Sequence, residues 1–344
     1  MMLIINSLKP FYVDKKNKVI RMGNFKENAK EIEYEDETIL LLFDSLKEPI
    51  SKEDLVDKLV KETGLTVSEI DQTIEYLMSE SFIIDYDKYQ EISNDELLNR
   101  QKLFFSMTSD KLKDWSIEKQ PNILILGLGG VGSNVALALS RAGFTNFTIV
   151  DCDKVEESNL IRQLTYDFND IGKYKTTVIK NKIKSKSNTV NVYNKRITTS
   201  KDIETEIEKA DFVICTLDKP ARVIRRLIND LCVRYNKPVI FSGFSEHVAM
   251  IGPFVVPKKT ACLKCIEKDM TEEPMNNVLI TPSYGPLCLL ISSLITNEVI
   301  NYFYKFNPNS LIGKTMMLNI LTYELKIIDW ERKETCEVCS NDSK

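Results

Sequence analysis

The chain has 344 residues, 43% of them apolar and 28% charged, with a net charge of −4. That is more than one domain needs, so two are expected. Residues 1–95 hold 12 Lys and Arg against 21 Asp and Glu, a net −9, which leaves +5 for the remainder; the acidic part disfavours nucleic acid as a partner, while the basic part suits a polyphosphate. Met1–Pro10 lacks the basic start and cleavage site of a signal peptide. The longest apolar region, Val278 to Ile295, is broken by Pro282, Gly285 and Pro286, and its clean part after Leu287 is too short to span a bilayer. A buried core helix, no membrane partner and a cytoplasmic location are expected.

In residues 1–95, two strand-like runs, Leu3–Ile5 and Val19–Met22, precede a helix near Asp36–Lys47, with Ile39, Leu42, Phe43 and Leu46 on one face. A second helix starts at Ser51, with Asp54 completing a capping box, and stops at Gly64. A third starts at Thr66 with Glu69, and carries Ile70, Ile74, Leu77 and Met78 as one stripe. Phe82–Ile84 returns as a strand. This is a winged-helix-like α+β order. Such modules commonly bind DNA, but the −9 charge favours a peptide-docking module that offers a strand edge.

Residues 89–119 read as polar and connective. From Pro121 strands and helices alternate: strands at Asn122–Leu126, Phe147–Val150, Val190–Tyr193, Phe212–Thr216 and Val239–Ser242, and helices at Gly132–Ala142, Lys175–Lys186 and Ala221–Tyr235. The pattern predicts a doubly wound α/β domain over 96–344.

Gly127, Gly129 and Gly132 fit G-x-G-x-x-G between the first of these strands and its helix, where glycine lets the backbone approach phosphate and the helix start offers free N–H groups. Asp151, 19 residues after Gly132, closes the next strand, the place of a ribose-binding carboxylate. These residues alone also fit an NAD-dependent dehydrogenase. The polar run Asp151-Cys-Asp153-Lys-Val-Glu-Glu-Ser-Asn159-Leu-Ile-Arg162-Gln163, followed by Gly172-Lys-Tyr-Lys175, decides against it, since Asn159, Arg162 and Lys175 can converge on a triphosphate. Lys180, Lys182, Lys184 and Lys186 read as a solvated helix face. Asp218, past the Phe212–Thr216 strand, is either a Mg²⁺ ligand or a helix N-cap with Pro220 in the first turn.

The run G-x-G-G-x-G, which adds Gly130, then D-x-D-x-V-x-x-S-N-L-x-R-Q, G-x-x-K and the later Asp resembles the ThiF/MoeB/ubiquitin-activating superfamily, from about Asn99 to the C-terminus. Within it the closest likeness is to the microcin C synthetases, which place a small peptide-binding domain first. The resemblance implies a Rossmann-like adenylation domain and an ATP-dependent adenylyltransferase acting on a peptide C-terminal carboxylate. It implies that Asp151 binds ribose, that Asn159, Arg162 and Lys175 hold phosphates, with Asp153 and Gln163 of the same motif in the nucleotide site, and that Asp218 serves Mg²⁺. Asn99-Arg100-Gln101 resembles a segment whose arginine reaches the partner subunit's ATP site, which implies a homodimer with Arg100 acting in trans; from the residues alone Arg100 reads as a solvated linker residue. Alternatives are adenylation of a Gly-Gly sulfur carrier and a non-catalytic nucleotide- and peptide-binding scaffold.

Of eight cysteines, Cys262, Cys265, Cys336 and Cys339 form two C-x-x-C pairs. Four thiolates suit a structural Zn²⁺; a redox C-x-x-C is the rival. Cys152, Cys215, Cys232 and Cys288 offer no convincing thioester nucleophile, and His247, the one histidine, reads as structural.

Overall fold

The computed structural model describes every residue except 26–28, 110–111, 114, 185–187, 219–220, 267–281 and 341–344. The anticipated Val278 start of the apolar region, Pro220 and Lys186 lie outside the described residues. The chain forms two compact units, Met1–Ser116 and Ile117–Lys344.

The first unit contains β1 (Met2–Ile5), β2 (Phe11–Asp14), β3 (Val19–Met22), β4 (Lys30–Glu33), α1 (Thr38–Ser45), β5 (Ile50–Ser51), α2 (Lys52–Thr63), α3 (Val67–Ser79), β6 (Ile83–Asp85), α4 (Tyr86–Ser93) and α5 (Asn99–Ser109). Strand β1 lies antiparallel between β5 and β6, and β2–β3–β4 form a separate antiparallel meander. The α1–α3 stripes read from the sequence bury Leu42, Phe43, Ile70, Ile74 and Leu77 with Leu3 and Phe82. Aromatic packing continues through Phe43, whose ring centre lies 4.8 Å from Phe11 and 6.3 Å from Phe82. Thr66 and Glu69 make the full reciprocal cap of α3, and Gly64 ends α2 at φ +74°, a conformation that glycine adopts without strain. At Ser51 only half of the expected box forms: its side chain accepts from the Asp54 amide, but Asp54 bonds the Ser51 hydroxyl instead of its amide. The segment expected to be connective holds α4 and α5. Its helices show little periodicity because α5 buries only Phe105 and Ser106, Phe105 against Trp115. Since α5 packs on α4, and α4 on β1 and β6, this unit extends past the expected 95/96 boundary.

The second unit contains β7 (Asn122–Leu126), α6 (Gly132–Arg141), β8 (Asn146–Val150), α7 (Lys175–Ile183), β9 (Thr189–Tyr193), α8 (Glu204–Lys209), β10 (Phe212–Cys215), α9 (Ala221–Arg234), β11 (Val239–Ser245), β12 (Val248–Val255), α10 (Leu263–Ile266), α11 (Gly285–Tyr304), β13 (Lys314–Asn319) and β14 (Leu325–Asp329). One eight-stranded sheet runs β14-β13-β12-β11-β10-β7-β8-β9. Strands β9, β8, β7, β10 and β11 are parallel, and β12–β14 add an antiparallel extension absent from the sequence reading. Helices α6, α7 and α11 pack together over one face, and α8, α9 and α10 over the other. The chain winds outward from β7 to β9 and then returns to place β10 beside β7. That reversal leaves a crevice at the carboxyl ends of β7 and β10, where open α/β sheets bind ligands.

Helix α11, with 20 residues, is long and apolar enough to cross a membrane by length and composition, contrary to the shorter apolar stretch expected. More than half of it is buried within the fold, against α6, β11 and β12.

Candidate active site

The crevice is built around the turn that joins β7 to α6. Gly127 sits at φ +89° and a Cβ there would lie 3.0 Å from Thr216 Oγ1, while one on Gly132 would lie 2.0 Å from the Gly127 carbonyl oxygen. Both positions therefore require glycine for packing alone. Gly130 has no room either, with the Arg162 carbonyl oxygen and Cys288 Sγ each 2.8 Å from its Cβ position. Gly129 differs, because its nearest neighbour would be Gln163 Nε2 at 4.0 Å. The missing side chain there leaves open space over the turn.

The turn's carbonyls are all engaged by the protein. The Tyr166 hydroxyl donates to the Leu128 oxygen (2.7 Å), Ser133 Oγ to Gly129 (2.7 Å) and Asn134 Nδ2 to Gly130 (2.6 Å). Among the described residues nothing accepts from the Gly129 and Gly130 amides. Carbonyls turned inward and amides left free make an anion-binding concavity at a helix start. Gln163 faces it, nearly fully buried, and among the described residues its Oε1 has no partner.

Asp151 ends β8 beside this turn. Its Oδ2 accepts from the Leu128 amide at 2.6 Å and its Oδ1 from the Asp153 amide at 2.7 Å, so it shapes the turn while each oxygen keeps a lone pair for a ribose hydroxyl. Burial pushes its carboxyl above the usual range, with the Lys175 charge opposing. Burial also acts on Asp153, but there the Lys175 charge and hydrogen bond prevail and the carboxyl is held below that range. Lys175 opens α7, is almost wholly buried, and pairs with Asp153 at 3.1 Å. The segment 153–155 is laced to 172–175 by three backbone hydrogen bonds: the Lys175 amide on the Asp153 oxygen at 3.0 Å, the Val155 amide on Lys173 at 2.9 Å and the Gly172 amide on Val155 at 2.9 Å. This lacing places the lysine beside the carboxylates.

Asn159 is buried in a 3₁₀ turn over Glu157–Asn159, where its Oδ1 accepts from the Glu156 amide and its carbonyl from the Arg162 amide. Arg162 is half-buried and its Nη1 donates to the Ser158 oxygen. Asp218 lies three residues beyond β10, exposed and without a partner among the described residues. Of the lysines expected on a solvated face, Lys182 instead pairs with Asp170 at 3.2 Å and Asp167 at 3.5 Å, tying α7 to the preceding loop. In the first unit, Arg100 lies in the first turn of α5, exposed, so it is helical and not part of a linker. His247 sits at the tip of the β11–β12 hairpin. Sequence reasoning missed Tyr166 and Thr216, which hold the turn's carbonyls; neither stands in a spacing pattern that marks it.

The four motif cysteines, separated by up to 77 positions in the chain, meet in one buried cluster. Sulfur–sulfur distances are 3.9 Å for Cys262–Cys265, 3.7 Å for Cys262–Cys336 and 3.4 Å for Cys265–Cys339. A tetrahedron with Zn–S bonds of about 2.3 Å has edges of about 3.8 Å. The donor set therefore fits a closed structural Zn²⁺ site. The single exposed carboxylate of Asp218 likewise fits Mg²⁺, which commonly takes one or two protein carboxylates and otherwise phosphate and water.

The profile of the ThiF family matches residues 98–338. The chain belongs to the ThiF family. It is an ATP-dependent adenylyltransferase, and its matched relatives include several adenylyltransferases. The ThiS sulfur-carrier adenylyltransferase of Escherichia coli is 26% identical over 226 residues, 64% of this chain and 86% of that protein. The sulfur-carrier adenylyltransferase of Thermus thermophilus is 25% identical over 232 residues, 65% and 84% respectively. Among solved structures, Escherichia coli MccB with AMPCPP and MccA superposes with a TM-score of 0.78 at 23% identity, covering 99% of this chain and 100% of that one. PaaA gives 0.75 at 18% identity, covering 95% and 99%. At these identities the structural likeness is one of fold, and the ThiF fold is that of a large Rossmann-like sheet.

Proposed function

We propose that this ThiF-family enzyme adenylates the C-terminal carboxylate of a short ribosomal peptide held by its N-terminal unit. The supporting observation is coverage. MccB, solved with the peptide MccA, superposes over 99% of the chain, so its fold includes a counterpart of the first unit; in sequence, the ThiS adenylyltransferase aligns over 64% of the chain. A peptide also has somewhere to dock. The first unit contains a cavity of about 270 Å³ lined by Leu42, Leu59 and Ile70 and by the exposed carboxylates of Glu33, Glu35 and Asp36.

In this reading the free Gly129 and Gly130 amides, Arg162 and Lys175 hold the triphosphate, with Gly127 and Gly132 shaping the turn and Asp151, Asp153, Asn159 and Gln163 completing the nucleotide site. Asp218 holds Mg²⁺, which offsets phosphate charge. A carboxylate oxygen of the peptide attacks the α-phosphorus, and the bond from that phosphorus to the oxygen bridging to the β-phosphate breaks. Pyrophosphate leaves with that bonding pair, and the acyl-adenylate remains. The protein contributes alignment and charge, not a nucleophile. A second copy supplies Arg100. Support for a homodimer comes from Ile161, Leu164, Phe168 and Ile171, an exposed apolar series flanking Arg162. We place the enzyme in the reducing cytoplasm; none of the eight cysteines is in a disulfide, which suits that compartment.

Two glycine variants separate packing from nucleotide binding. Gly132→Ala is expected to melt well below wild type. Gly129→Ala is expected to melt like wild type but to bind ATP about tenfold more weakly, a cost of about 1.4 kcal/mol. Thermal melts and ATP titrations check both, and equal ATP affinity in Gly129→Ala and wild type would contradict the role given to the open turn.

The named sequence relatives favour a second reading, adenylation of a sulfur carrier. Mass spectrometry of short peptides and of a Gly-Gly-tailed carrier, each incubated with enzyme and each nucleoside triphosphate, decides between them. A nucleotidyl mass on a short peptide is expected; modification confined to the carrier would overturn the peptide reading.

A further inference from the structure

We propose that Arg225 is the binding residue for the acceptor's terminal carboxylate, and that it sets the direction from which the acid approaches the nucleotide. The inference rests on the adenylation reading above and assigns a residue that none of the sequence motifs includes.

Arg225 lies in α9, seven residues after Asp218. Its Nη2 donates at 2.6 Å to the carbonyl of Ser242, midway along β11 and one residue past the last pairing of β11 with β10 at Cys215–Phe241. Gly243 gives the guanidinium its seat, since a Cβ there would lie 2.7 Å from Nη2. The side chain is half-buried and its Nε is enclosed without a partner among the described residues. No carboxylate among the described residues pairs with it, and its charge reaches the Cys215 thiol at the end of β10. A fixed, partly dehydrated cation with one neutral acceptor is costly to hold, and an anion arriving from outside would offset that cost. Guanidinium matches carboxylate with paired N–H donors.

Two anions could answer it, the triphosphate or the acceptor acid. The order of the strands favours the acid. The proposed phosphate grips, Arg162 and Lys175, follow β8 on one side of β7. The Arg225 guanidinium is held on β11, level with the carboxyl end of β10, on the opposite side of β7 and two strand spacings away, about 10 Å. Displacement at phosphorus runs roughly in line, so the attacking and leaving oxygens lie on opposite sides. If pyrophosphate departs toward Arg162 and Lys175, the carboxylate enters from the side of Arg225, with Asp218 between.

The test needs neither turnover nor the natural peptide. Full-length ¹⁵N-labelled protein, without nucleotide or Mg²⁺, is titrated with N-acetylglycine and separately with N-acetylglycinamide, following the Arg225 Nε–H resonance assigned through Arg225→Lys. The acid is expected to shift that resonance saturably and the amide to leave it in place. Arg225→Gln is expected to bind the acid about tenfold more weakly while retaining ATP affinity. A shift of the Arg225 signal with inorganic pyrophosphate but not with the acid would assign the cation to the triphosphate and overturn the proposal. So would equal effects of acid and amide, or unchanged acid binding in Arg225→Gln. If that variant does not fold, the wild-type titrations alone decide. Failure of adenylation itself would appear as absent nucleotidyl transfer with acid binding intact, so the two claims fail separately.

Discussion

Arg162→Ala is expected to slow acceptor-dependent pyrophosphate exchange about 10³-fold without lowering the melting temperature. Opposite charges about 4 Å apart interact by roughly 4 kcal/mol at an effective dielectric near 20, which corresponds to that factor in rate. The fold has little stake in this side chain, which is half-buried and, among the described residues, donates to the Ser158 carbonyl four positions earlier. Lys175→Ala should behave differently. Lys175 is buried, pairs with Asp153 and opposes the burial cost at Asp151. Its removal leaves carboxylate charge uncompensated, so stability and exchange fall together. Parallel melts and exchange assays on the two variants check the contrast. Unimpaired exchange in Arg162→Ala would remove that residue from the chemistry.

Loss of the metal is the second large effect. Zinc bound by four thiolates contributes on the order of 10–16 kcal/mol in zinc-finger peptides. Here the four cysteines belong to the buried cluster that also contains Ile224, Ile228 and Leu231 of α9. Asn229 Oδ1 accepts from the Leu263 amide at 2.8 Å, which joins α9 to the first C-x-x-C pair. Arg332 donates to the carbonyls of Lys258 and Cys339 and ties down the second. Stripping zinc with a strong chelator, or Cys336→Ser, is therefore expected to free the C-terminal segment and lower the melting temperature by about 10 °C or more, since a unit of this size loses roughly 2–4 °C per kcal/mol. Among the described residues the turn after β7 shares no hydrogen bond with these cysteines, so ATP affinity should fall less than stability. Metal analysis is expected to return one zinc per chain. An unchanged melt after complete zinc removal would contradict the structural role.

The nucleotide half of the molecule was readable because its signals are local. Ile123–Leu126 is a continuous apolar run, Gly127 to Gly132 fixes the turn, and both appear in the structure with the anticipated boundaries. The meeting of the two cysteine pairs was readable from chemistry, although they lie far apart in the chain. Other parts had no local signal. Strands β13 and β14 carry mostly half-buried or exposed side chains and owe their existence to pairing with β12. Helix α5 buries two neighbouring residues and so shows no stripe. Arg225 sits in a run with Arg222 and Arg226 that reads as an ordinary basic helix face, and only the glycine at 243 on a separate strand distinguishes it.

The most direct test of the central claim is exchange of labelled pyrophosphate into ATP by the purified full-length enzyme, with and without a peptide bearing a free C-terminal carboxylate. Exchange is predicted to require both the free carboxylate and Mg²⁺, and to vanish in Asp218→Ala. An enzyme that supports no exchange with any carboxylate acceptor, and instead binds a nicotinamide dinucleotide over Gly129, would contradict the account.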